Sequence, residues 1–104
     1  MSIDDPQVVD FISEASDGVV ILTISDHLEW DKEHLFKLQN KLNKYLSFIE
    51  SGEVYESYPK AIGKSLKIEL VCMHEPNSDS VSFLLQCGEV IKQAGFDFGY
   101  QVGI

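Results

Sequence analysis

Leu35, Leu38, Leu42, Tyr45 and Ile49 recur at steps of three and four along one short stretch of the chain. That spacing predicts an amphipathic helix with a single apolar stripe, which Leu46 widens. A helix with one stripe must lay it against another layer, so the chain has to fold as packed layers around one core. The helix start is also marked. Asp31 is the expected N-cap, because its carboxylate can accept from the free amides of the first turn. Trp30 and Leu35 then stand at the spacing of a hydrophobic staple, and Asp31 and Glu33 place negative charge at the positive end of the helix dipole. Gly52 is the expected stop. Lys37, Lys41 and Lys44 read as a ladder on the opposite side, with Glu33 four residues before Lys37. The ladder is expected to be a solvated face, with a docking stripe for an acidic partner as the sharper reading.

The flanking segments read as strands. Residues 8–14 alternate imperfectly, Asp17-Gly18 signals a hairpin, and residues 19–25 are apolar on both faces as in a central strand. Residues 53–65 form a long connection containing Tyr55 and Tyr58, which are expected to pin it to the body. Leu66, Ile68, Leu70 and Cys72 share one face of a third strand, opposite Lys67 and Glu69. A second helix follows, capped by Ser78 or Asp79 and ended by Gly95, with Val81, Leu84, Leu85, Val90 and Ile91 as its apolar positions. In the last strand Phe96, Phe98, Tyr100, Val102 and Ile104 alternate with Asp97, Gly99, Gln101 and Gly103. The order is β-β-α-β-α-β. It predicts a single α+β domain over residues 1–104: a two-layer sandwich with a four-stranded mixed sheet and two helices on one face.

Charge narrows the function. The net charge is −9, and all eight basic residues are lysines. Nucleic-acid binding needs cationic patches and draws on arginine forks, so no nucleic-acid partner is expected. The acidity suits docking to a basic protein partner. No apolar run reaches the ~18–20 residues of a membrane span. The acidic start MSIDDPQVVD lacks the basic region of a signal peptide, so the expected location is cytoplasmic and no membrane partner is expected. Cys72 and Cys87 are expected to be reduced thiols acting as small hydrophobes.

The stretch TISDHLEWDKEHL, residues 23–35, concentrates the chemistry-bearing side chains. His27, His34 and Asp31 are the candidate metal ligands, with Asp26 or Glu29 to complete a site, although the spacing matches no familiar zinc motif. If the third strand runs parallel to the second, His27 and His74 share a sheet edge. Asp26, His27, His74 and Glu75 are then the candidate catalytic residues of a small-ligand or metal-assisted enzyme. No nucleophile elbow, dinucleotide fingerprint or phosphate loop occurs, and no cofactor is expected. The capping and stapling roles of Asp31 and Trp30 account for more of these residues than either site does.

SIDDPQVVDFI, the long run containing DHLEWD and YLSFIESGE, and QAGFDF together resemble a family of small uncharacterised bacterial proteins of about 100 residues, a domain of unknown function. The resemblance implies a bacterial, single-domain protein and transfers no catalytic residue. In size and charge the chain is also similar to bacterial immunity proteins. The leading expectation is a non-enzymatic, acidic protein-interaction module. A homodimer formed through the last strand is a further expectation.

Overall fold

The computed structural model describes residues 11–103, so the first-strand residues 8–10 and the closing Ile104 lie outside the described residues. Four strands and three helices follow in the order β1 (Phe11–Glu14), β2 (Val20–Asp26), α1 (Lys32–Glu50), α2 (Glu53–Ser57), β3 (Leu66–Cys72), α3 (Ser78–Gln93) and β4 (Asp97–Val102). A single 3-10 turn, Pro59–Ala61, lies between α2 and β3. The long connection is therefore partly helical. Tyr55 and Tyr58 are half-buried against the core, as a loop packed by its own side chains requires.

Local chemistry sets the turns. Gly18 has φ 89°, a region costly for any residue with a Cβ, and the Gly18 N–H donates to the Ala15 carbonyl. This closes the β1–β2 hairpin with Glu14 opposite Val20. Asp31 caps α1, its carboxylate accepting from the His34 N–H at 2.8 Å. The second long helix is capped one residue earlier than the sequence suggests. The Asn77 side chain accepts from the Ser80 N–H at 2.9 Å, so Ser78 and Asp79 are helical residues. Gly52 ends α1 with φ 84°, and a Cβ added there would meet nothing within 4 Å. Gly52→Ala is therefore expected to cost about 1–2 kcal/mol through backbone conformation alone, measured as a lower urea midpoint at unchanged slope.

The sheet order is β1-β2-β3-β4, with β1 antiparallel to β2, and β2, β3 and β4 mutually parallel. The parallel pairings require crossovers, which α1 and α3 supply. Both helices cover the same sheet face. Val20, Leu22 and Ile24 of β2 and Leu66, Ile68, Leu70 and Cys72 of β3 form one buried cluster with Leu38, Leu42, Tyr45 and Ile49 of α1 and Leu84 and Ile91 of α3. The opposite face, with Ile21, Thr23, Lys67 and Glu69, is only half-buried. The fold is the expected α+β sandwich with a four-stranded mixed sheet.

The helices sit at different rotations from those the stripes suggest. In α1, His34, Lys41 and Phe48 join the buried face, while Leu35 is only half-buried. Lys41 is fully buried, with its ammonium 5.8 Å from the Tyr45 ring centroid, so the lysine ladder is not a solvated stripe. In α3, Leu85 and Val90 are 65% and 59% exposed, and Ser80 is buried instead.

Candidate functional site

The carboxyl ends of β2 and β3 lie side by side, with Asp26 paired to Cys72 in register and the Met73 N–H donating to the Asp26 carbonyl. In open α/β sheets this edge is where ligands bind. The parallel pairing therefore brings the segments carrying His27 and His74 to one edge, as the sequence reading required. What forms there is a closed polar cluster.

Asp26 alternates inward with Leu22 and Ile24 and is 1% exposed. Its Oδ1 accepts from the Leu28 N–H at 3.1 Å, which bends the chain out of β2. Its Oδ2 lies 2.5 Å from Nε2 of His34, which is also 1% exposed. The other ring nitrogen, Nδ1, is 2.9 Å from the Glu29 carbonyl. A carbonyl only accepts, so Nδ1 carries a hydrogen. The contact between Nε2 and Oδ2 then holds one proton, and the buried pair is neutral overall. Trp30 lies flat on the imidazole, with ring centroids 4.0 Å apart and planes inclined by 21°. Its indole N–H donates to the His74 carbonyl at 2.9 Å.

These contacts answer the question raised by TISDHLEWDKEHL. Trp30 covers His34, Asp31 caps α1, and the two loops at the sheet edge are tied together. Both ring nitrogens of His34 are committed, so it offers no lone pair to a metal and no free base to a substrate. His27 is exposed, His74 is half-buried, Glu75 is exposed, and Asp31 is occupied by its cap. Among the described residues no group of three or more His, Cys, Asp and Glu side chains converges to hold a metal ion. The sequence reading named His34 as a candidate metal ligand and Asp26 as an acid–base candidate that could also complete that metal site. It missed the bond between them. The available signal was that Asp26 continues the inward alternation of β2 while His34 begins the inward row His34, Leu38, Lys41.

The thiols are quiet. Burial pushes Cys72 from its usual value near 9 up to about 12, and the negative charge of Asp26 beside it adds to the effect. Burial alone pushes Cys87 up to about 11. A raised thiol value means that the folded state disfavours the thiolate. The associated stability is fully present below pH ~9 and is lost as pH rises from ~9 towards ~12. Below that window, Ellman's reagent is expected to label Cys87 before Cys72. Cys72 should react far more slowly than an exposed thiol, because it is buried and its thiolate is disfavoured, and urea should abolish the difference.

No helix among the described residues is long and apolar enough to cross a membrane. No curated protein and no solved structure matches the chain. The sequence model of the family of unknown function DUF6572 matches residues 1–103, and the chain belongs to that family.

Proposed function

We propose that this is a non-enzymatic, cytoplasmic interaction module of bacterial origin that docks a basic protein through its acidic sheet edge. The observation that carries this reading is a set of exposed carboxylates on segments that meet there: Glu29, Asp31 and Glu33 after β2, and Glu75 and Asp79 after β3. Lys32 and Lys37 share that end, and Lys37 lies 3.7 Å from Glu33, so negative charge dominates. Trp30 and Asn77 bind the two loops to each other. The charges thus stand on a held surface, which lowers the ordering cost of docking. The two free cysteines suit a reducing compartment. The alternative is a small-ligand or metal-assisted site at His27 and His74. It has the parallel β2–β3 pairing in its favour but lacks a free buried base.

The test compares the parent with a Glu29→Lys, Glu75→Lys, Asp79→Lys variant, leaving the Asp31 cap intact. Both are used to capture proteins from bacterial lysate at low and high salt. One basic protein retained by the parent at low salt is expected to be lost at high salt. The variant is expected to hold it at least about tenfold less tightly, mainly through a slower on-rate. Equal retention by both would overturn the reading, as would no basic protein retained at low salt.

A further inference from the structure

We propose that a second copy of this chain pairs with the outer edge of β4, joining two sheets into one of eight strands. Among the described residues, β4 is hydrogen-bonded to β3 on one side only. The Gly103 N–H donates to the Cys72 carbonyl at 3.0 Å, so residue 103 and, by alternation, Gln101, Gly99 and Asp97 direct their backbone groups at β3. Phe98, Tyr100 and Val102 therefore direct their N–H and C=O groups outward. The strand has no lysine, proline or bulge to guard the edge, and its one charge, Asp97, stands at its start.

The side chains of these three residues also fit self-pairing. They lie on the helix-covered face, yet Tyr100 and Val102 are 38% and 45% exposed at the edge of the sheet. On α3, Gly88 approaches Phe98, a Cβ there standing 3.6 Å from the ring. Leu85, one turn earlier on the same side and 65% exposed, extends that apolar surface along the strand. Opposed residues in an antiparallel pair share a face, so a two-fold axis normal to the sheet must pass between residues of one parity. With Tyr100 opposite its own copy, Phe98 faces Val102. Every outward backbone group of these three residues is then paired, giving two hydrogen bonds at each of three opposed pairs. Asp97 falls opposite Gly103, so no like charges meet. With Gly99 on the axis, Val102 would oppose Phe96, whose N–H is already bonded to the Ile91 carbonyl at 3.1 Å. The Tyr100-centred register is the complementary one.

The surface is small beside the ~20–30 residues a side of a standard interface, so the dimer is a micromolar one. Sedimentation from roughly 10 μM to 1 mM should show reversible dimerisation. Amide exchange over the same range should show protection of Phe98, Tyr100 and Val102 that rises with concentration, while the β3-bonded amides of Gly99 and Gln101 stay protected throughout. Tyr100→Lys is expected to raise the dissociation constant at least tenfold with an unchanged circular-dichroism spectrum. Val90→Lys, in the groove between α1 and α3, should leave it unchanged. A monomer throughout would overturn the proposal. So would a dimer that is lost with Val90→Lys and not with Tyr100→Lys, or one without the alternating protection.

Discussion

His34→Ala is expected to lower the unfolding free energy by about 3–5 kcal/mol, a large share of the ~5–15 kcal/mol that holds a domain of this size. The loss has three sources. The imidazole is buried, so its removal leaves Oδ2 of Asp26 without a partner in a buried site, with only Oδ1 still accepting from the Leu28 N–H. It also leaves the Glu29 carbonyl without its donor and Trp30 without the ring on which it lies. Asp26→Ala should cost a comparable amount, because it strands Nε2 and frees the Leu28 amide. The double variant should cost less than the two singles added together, with a coupling of about 1–3 kcal/mol, since either change alone destroys the same contact. Urea unfolding of the four proteins at constant slope measures the cycle. Singles that each cost under ~1 kcal/mol would show that the pair is not a structural tie. They would also revive an acid–base role for it, because catalytic groups are typically strained and removable without loss of stability.

The same pair marks where the sequence is readable and where it is not. Periodicity gave every strand and both long helices, because period two and period 3.6 follow directly from backbone geometry. It also gave the Asp31 cap and the Gly52 stop, where one residue's chemistry decides the conformation. Rotation of a helix about its axis is harder to read. A stripe wider than ~100° leaves the inward direction ambiguous by about one residue. That margin decides whether His34 and Lys41 face the core or Leu35 does, and only the position of β2 resolves it. The Asp26–His34 bond is legible only once that rotation is known, since it joins residues on two elements. The β3 end was readable conditionally: the sequence placed His74 beside β2 if the strands were parallel, and they are. What stood there was the carbonyl of His74 receiving Trp30, a backbone contact that no side-chain pattern announces.

Ile68→Ala should be the most costly aliphatic truncation in the sheet, at about 2–5 kcal/mol. Ile68 has no exposed surface and sits on β3, which has a parallel neighbour on each side, facing Leu22 across one ladder and Phe98 across the other. Little can collapse into the space it leaves, because its neighbours are fixed by two hydrogen-bonded strands, and cost rises with the cavity that remains. Val71, on the same strand but the opposite face, gives the contrast. It is half-buried beside Ser25 and Gln101, on the face opposite the one that α1 and α3 cover. Val71→Ala should therefore cost about 1 kcal/mol or less, since only part of its surface leaves water on folding. Thermal unfolding resolves the two, at about 4–8 °C per kcal/mol for a chain of this length. A two-layer sandwich requires this asymmetry between the faces of its central strand. If Val71→Ala proved as costly as Ile68→Ala, the open face would have to be covered in solution. The sheet would then be the middle of three layers, with the third supplied from outside the described residues.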